Sequence, residues 1–421
     1  MSPGKSWILR TNVYEVNLRQ YTAEGTINAF RNHLPRLRDM GVETLWFMPL
    51  TPIAKQHRKG TMGSYYACSD YVSVDPEFGT MDDWKALVST AHAMGFRIIL
   101  DWVANHTGWD HHWTLSHPDY YKKDPTTGTF KAASGMADII ELDFGNPALR
   151  RAMIEAMSFW VSETGIDGFR CDLAFWVELP FWLEAREAVE SIRPLFWLAE
   201  LDPLAHPDYM QVFDAAYTWT WMKGAQDFYS RALPLEGLRE ILERYAAVPG
   251  LKAWFTTNHD ENSWNGTEYE KYGNAARALA VFSGTYPGVL LLYTGQEAAN
   301  RKRLAFFEKD PVDWSGGTPL HAFYKTLLEL RTRSGALSAA ALLEPVETTE
   351  RASVLGFRRT FGEESILVLL NLSPEPLHFE LTAEPGAYRN VFTGAERRLE
   401  RGGILALNAW GWLVLEKIQA L

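Results

Sequence analysis

The stretch TMDDWKALVSTAHAMGFRIILD, residues 80–101, carries the pattern that decides the fold. Thr80 is a good N-cap residue, and Asp82 and Asp83 suit the positive end of a helix. Trp84, Leu87, Val88 and Ala91 then recur at helical spacing. Gly95 suits the helix end, and the apolar run 97–101 reads as a buried strand that finishes on an acid, Asp101.

The same unit lies on both sides. Upstream, Thr26 can cap a helix in which Ile27, Phe30, Leu34 and Leu37 share one face, Gly41 can end it, and residues 42–49 read as a strand. One helix is expected there, with Pro35 as its discordant residue. Downstream, Asn146-Pro147 gives a cap followed by an N1 proline. Leu149, Met153, Met157, Trp160 and Val161 form the stripe, and Gly165 precedes a strand at 166–172. Further strand-like runs occupy 12–16, 196–199, 214–217, 252–255 and 289–293, which makes eight.

Alternating strands and helices imply a parallel sheet, and eight such units imply an α/β protein built on a (β/α)8 TIM barrel. The long gap after strand three is read as a short insertion, residues 107–145, between barrel segments 1–106 and 146–345. After Pro345 the pattern changes to short strands separated by turn residues, so 346–421 is expected to be a C-terminal antiparallel β-sandwich.

Composition narrows the function classes. The chain has 421 residues, 47% hydrophobic and 22% charged, as in ordinary globular proteins, and carries a formal net charge of −11. An acidic chain without a Lys/Arg run is unsuited to nucleic acid or to anionic lipid. No apolar run is long enough to span a bilayer, and residues 1–10 have no signal-peptide pattern, so a cytoplasmic location is the expectation for the sequence as written. Two cysteines, Cys68 and Cys171, give neither a disulfide framework nor metal-ligand spacing and read as core thiols. His111, His112 and His117 lack a fixed helical spacing and read as a surface loop. The 17 Trp residues exceed what a core alone would suggest and suit a protein that stacks on sugar rings. Trp109, Trp113, Trp219 and Trp221 follow strands and are candidates either for such platforms or for the core. No motif specifies an oligomeric state.

Working residues in a (β/α)8 barrel gather at the C-terminal ends of the strands. Strand three ends in Asp101-Trp-Val-Ala-Asn105-His106, strand four in Gly168-Phe-Arg170-Cys-Asp172, strand five in Glu200, and strand seven in Asn258-His259-Asp260. Asp172, Glu200 and Asp260 therefore share one mouth. Arg170 lies two residues before Asp172 and points the same way, so its guanidinium should keep Asp172 ionised. Glu200 follows an apolar run and should retain its proton. One ionised and one protonated carboxyl make the pair that a retaining glycosidase requires.

These segments resemble, in order and spacing, the four signature regions of the α-amylase family, glycoside hydrolase family 13. Tyr66-Ala-Cys-Ser-Asp70-Tyr71 is similar to the family's tyrosine-containing segment, Leu142-Asp143-Phe-Gly-Asn146-Pro147 to its fifth region, and Gly288 to Glu297 to its strand-eight segment. The resemblance implies Asp172 as nucleophile, Glu200 as general acid/base and Asp260 as the acid that holds sugar hydroxyls. It implies substrate-binding roles for Tyr66, Asp101, His106, Arg170 and His259. The implied reaction is retaining cleavage of α-1,4-glucosidic bonds in starch-derived chains or maltooligosaccharides, with some transglycosylation. An α-glucosidase or 4-α-glucanotransferase is the alternative on the same fold; a non-enzymatic glucan-binding subunit is disfavoured because all three acids are kept. No cofactor is required for the chemistry. A structural Ca2+ is implied at Asn105, with Glu141 or Asp138 as the second ligand.

Two positions depart from the family pattern. Phe175 and Trp176 stand where many α-amylases have Lys-His, and are expected to offer stacking surface to the leaving-side sugar. The fifth region reads Glu141-Leu142-Asp143 where Asp-Leu-Asn is usual.

Overall fold

A computed structural model describes residues 3–381 and 385–418. Residues 1–2, part of the segment read as lacking a leader, and 382–384 and 419–421, parts of the expected C-terminal unit, lie outside the described residues. In chain order the first ten strands are β1 (Asn12–Val16), β2 (Thr44–Phe47), β3 (Arg97–Trp102), β4 (His106–Gly108), β5 (Ile139–Glu141), β6 (Gly168–Cys171), β7 (Phe196–Ala199), β8 (Ala215–Tyr217), β9 (Leu251–Trp254) and β10 (Val289–Tyr293). Eight of them close into a parallel barrel in the order β1-β10-β9-β8-β7-β6-β3-β2. Their residues are almost all buried, as expected of strands covered inside and out.

Local signals account for the helices. Thr80 and Asp83 form a capping box, and helix Met81–Ala93 packs Trp84, Leu87, Val88 and Ala91 inward. The Asn146 side chain caps Pro147–Thr164, and Gly165 ends that helix at φ +71, a left-handed conformation that glycine adopts without Cβ strain. The single helix expected over 26–40 is two helices, Ile27–Arg31 and Leu34–Asp39. Pro35 sits in the first turn of the second, where its missing N–H costs nothing.

In the insertion β4 and β5 pair antiparallel, with His106 opposite Glu141. A Cβ on Gly108 would lie 2.1 Å from the Ala54 side chain, so the hairpin packs hard against the loop after β2. His111 is fully buried beneath this region, contrary to the surface loop expected; its ring contacts Tyr71 and Trp113, and burial pushes its pKa down to about 3. Trp113 and Trp221 are core residues, whereas Trp109 is half-buried with its indole N–H donating to the Ala137 carbonyl.

After the barrel come β11 (Leu342–Pro345), β12 (Val354–Phe361), β13 (Glu364–Asn371), β14 (Leu377–Glu380), β15 (Gly386–Asn390), β16 (Glu396–Leu399), β17 (Ile404–Leu407) and β18 (Trp412–Lys417). They form a six-stranded antiparallel sheet, β11-β12-β13-β18-β15-β16, faced by the β14-β17 pair. Leu367, Leu369, Phe379, Tyr388 and Leu415 fill the space between. The unit is tied to the barrel by Arg359, whose guanidinium donates to the carbonyls of Thr285 (2.9 Å) and Ser338 (2.6 Å). Among the described residues no helix is long and apolar enough to cross a membrane.

Candidate active site

The ends of β3, β6 and β7 and the loop after β9 converge on one pocket of about 430 Å³, whose wall includes Tyr66, His106, Asp172, Glu200 and Asp260. The parallel register explains the convergence. Asp101 is the partner of Arg170 across β3 and β6, and Cys171 is the partner of Ala199 across β6 and β7, so the polar termini fall at one level.

Arg170 organises the base. Its side chain is fully buried, and its nitrogens lie 2.8 Å from Asp101, 3.0 Å from Asp172 and 2.7 Å from Glu200. The guanidinium also lies 4.9 Å from the centroid of the Trp46 ring. Asp101 accepts from the Trp46 indole N–H (3.2 Å) and the Tyr66 hydroxyl (3.0 Å), and none of its side chain is exposed. Asp101 and Arg170, both expected to bind substrate, are thus placed below the pocket surface, where they fix the groups that line it.

The loop after the expected nucleophile is strained. Leu173 has φ +38 and ψ +48, a left-handed conformation that a γ-branched residue seldom adopts. This conformation aims its backbone N–H at the Glu200 carboxylate, 2.8 Å away. Burial pushes the Asp172 carboxyl well above its ordinary range; Glu200 and Asp101 add to the rise, and Arg170 opposes it.

His259 donates from Nδ1 to Glu15, a fully buried acid on β1, while its Nε2 lies 2.7 Å from the Tyr66 hydroxyl and 3.4 Å from Asp260. Burial disfavours the imidazolium, but Asp260 and Glu15 outweigh it and push the His259 pKa up to about 9. His106 has the opposite character: burial holds it down at about 4, and its Nε2 has no hydrogen-bond partner among the described residues. A neutral, buried ring nitrogen in the pocket wall is ready for a ligand hydroxyl. Asp260 is the most exposed of the three acids, at 41% of its side chain.

Phe175 and Trp176 form a short turn directly after Leu173. Both are half-buried, Phe175 is stacked on His206 at 4.7 Å, and neither is part of the pocket wall that holds the three acids. Several functional positions escaped the sequence reading. Glu15 had a visible signal, a lone acid in an apolar strand. Lys59, Trp264 and Phe307, which also line the pocket, sit in loops without a periodic pattern.

The residues at the expected calcium position do not fit a divalent ion. Glu141 is already held by Lys122 and Lys131, each at 2.7 Å, and Asp138 by Lys59 at 2.6 Å. The Asn105 amide lies 3.3 Å from His106 Nδ1. Among the described residues no three His, Cys, Asp or Glu side chains cluster as a metal site.

Comparison with known proteins agrees with this geometry. Residues 9–127 match the family model "Alpha amylase, catalytic domain". The chain is 25% identical to Alpha-amylase 2 of Dictyoglomus thermophilum, over 90% of this chain and 69% of that protein. It is 28% identical to Alpha-amylase MalA of Haloarcula japonica, over 90% of this chain and 58% of that one. Among solved structures, a noncanonic maltogenic α-amylase, AmyB, from Thermotoga neapolitana superposes with a TM-score of 0.89 at 26% identity, covering 98% of this chain and 100% of that one. An α-amylase from Lactobacillus plantarum gives 0.87 at 26% identity, covering 98% and 100%. With its closed parallel barrel and C-terminal antiparallel sheet, the chain has the fold of these α-amylases, and its likeness to them supports a glycoside hydrolase of the α-amylase type.

Proposed function

We propose that this protein hydrolyses α-1,4-glucosidic bonds in maltooligosaccharides and starch-derived chains with retention of configuration. The observation that carries the reading is the Arg170 guanidinium, which touches both Asp172 and Glu200 at the floor of a pocket that also holds Asp260, His106 and Tyr66. One guanidinium reaching both carboxyls, at 3.0 Å and 2.7 Å, supports the close spacing of a retaining pair, about 5–5.5 Å, over the roughly 6.5–9.5 Å of an inverting one.

In this reading Asp172 attacks the anomeric carbon while Glu200 gives its proton to the departing oxygen. Glu200 then removes a proton from water, which displaces Asp172 from the glycosyl ester. Ground-state charge is balanced by Arg170, which holds whichever oxygen of the pair is ionised. Asp260 and the neutral His106 bind hydroxyls of the attacked ring. Tyr66, tied by its hydroxyl to Asp101 and His259, presents a rigid face to it.

No metal enters these steps. The cationic role at the base of the insertion is assigned to Lys122 and Lys131, which neutralise Glu141.

The experiment is a proton NMR time course on maltoheptaose. New reducing ends should appear first as the α anomer; β anomer in the earliest spectra would refute retention. Asp172→Asn and Glu200→Gln should each lower turnover by roughly 10³-fold or more while maltoheptaose still binds. Product sizes separate hydrolysis from glucosyl transfer: a 4-α-glucanotransferase would lengthen part of the substrate.

A further inference from the structure

Three segments meet across one wall of the catalytic pocket. The loop after β2 is clamped to the loop after β10: Met62 N–H donates to the Phe307 carbonyl (3.1 Å) and Thr61 N–H to Glu308 (2.9 Å). Gly60, between them and Lys59, has φ +62, and a Cβ there would lie 2.6 Å from Phe307 Cβ, so the loop tip packs closely against the loop after β10. From this tip the Lys59 ammonium reaches Asp138 of the insertion at 2.6 Å, while staying 5.8 Å from the Phe307 ring centroid. Lys59, Asp138, Phe307 and Trp264 line the same pocket as the three acids.

The barrel order gives this wall a direction. Around the barrel the strands run β2, β3, β6, β7. Asp172 follows β6 and Glu200 follows β7, so the group that Glu200 protonates leaves toward β7. Lys59 and Asp138 belong to the loops after β2 and β3, on the other side of Asp172. The wall therefore stands on the side of the sugar that is attacked, beyond Tyr66 and His106.

We propose that the Lys59–Asp138 ion pair ends the pocket on that side, so that the enzyme takes α-glucan chains by their non-reducing ends and releases glucose or maltose. The inference deepens the function proposed above and rests on it. Asp138 is almost fully buried, and its charge needs a fixed partner, which anchors Lys59 across the pocket. The two ammonium protons not used by Asp138 are left to bond the terminal sugar's hydroxyls. Lys59 is thus a specificity-determining residue.

The test uses maltoheptaose labelled at its reducing end, and the same oligosaccharide blocked by a 4,6-ethylidene group at its non-reducing end. Wild type should release unlabelled glucose or maltose first, keep the label on the long fragment, and cleave the blocked substrate at least roughly tenfold more slowly. The double variant Lys59→Ala/Asp138→Ala removes both charges together and opens the wall; its early products should include longer unlabelled fragments, and the blocked substrate should gain relative to the free one. Equal rates on blocked and free chains with mixed internal products from wild type would overturn the inference, without needing any variant, and leave hydrolysis itself standing. An unchanged product pattern in a folded double variant would overturn the role of Lys59. Failure of wild type to cleave either oligosaccharide would overturn the proposed function, and this inference with it.

Discussion

Glu15 and His259, 244 residues apart in the chain, meet in the barrel interior, where His259 Nδ1 donates to the Glu15 carboxylate. The contact fixes the ring so that its other nitrogen faces Tyr66 and Asp260. Glu15 is thereby a positioning residue: it lies on β1 and reaches the pocket through His259.

The pH consequence follows from the raised His259 pKa of about 9. A group raised on folding stabilises fully below its unfolded value, about 6.5 for histidine, and that contribution is lost as pH rises through the folded value. Glu15→Gln removes one of the two acids that hold the proton. The alkaline limb of kcat/KM should move from near pH 9 toward neutrality. The stability gap between wild type and Glu15→Gln in urea should be larger at pH 6 than at pH 10. A gap that widens with pH would contradict the charged imidazolium.

Arg170→Lys keeps the charge and discards the fork. A lysine ammonium is a compact point charge and cannot reach Asp101, Asp172 and Glu200 with the geometry seen here. Turnover should fall by about 10²–10³-fold, with a smaller change in KM, because the lost contacts act on the acids and not on the sugar. Kinetics on maltoheptaose, paired with a melting curve to confirm folding, make the measurement. A change confined to KM would place Arg170 in ligand binding instead.

What was legible in the sequence was local. Thr80, Asn146 and Gly165 state their helix boundaries through side chains and backbone needs that lie within a few residues. Strand ends with acids and an arginine announced the pocket because the barrel puts all such ends on one face. β11 lies upstream of residue 346, where the C-terminal unit was expected to begin, and it and β16 are the two edges of the sheet. Edge strands face water and carry charge, as Glu396-Arg-Arg shows, so they lack the apolar alternation that marks a strand. The Glu15–His259 and Lys59–Asp138 pairs are long-range contacts, and nothing near either partner in sequence encodes the other.

The lysine pairs predict how the protein responds to chelators. A resident ion present at 100 times its Kd would add about 2.7 kcal/mol, and its removal would lower Tm by several degrees. Here Glu141 is held below its ordinary pKa by hydrogen bonds and charge from Lys122 and Lys131, against the effect of its partial burial. EDTA should therefore leave Tm unchanged by calorimetry, and added Ca2+ should not raise it. Lys122→Met with Lys131→Met should cost no more than about 1–2 kcal/mol, because both lysines remain partly solvated. A fall in Tm with EDTA that Ca2+ restores would return a metal to this position.

Cys171 turns the strand that leads to Asp172 into a reporter of barrel opening. It lies between Arg170 and Asp172, and because successive side chains on a strand face opposite ways, it points outward into the helical layer while its neighbours point into the pocket. It is fully buried, as is Cys68, and burial pushes the Cys68 thiol up to about 12 and raises that of Cys171 well above its ordinary value. Neither thiolate forms at pH 8 in the folded chain. A chromogenic disulfide should label neither cysteine in the native protein and both in guanidinium. Slow labelling of Cys171 under native conditions would then measure the separation of β6 from its helices. A substrate-like inhibitor should retard that labelling by binding Asp172 on the strand's other face. Rapid native labelling would show that the helical cover over β6 is loose, and with it the support for Asp172.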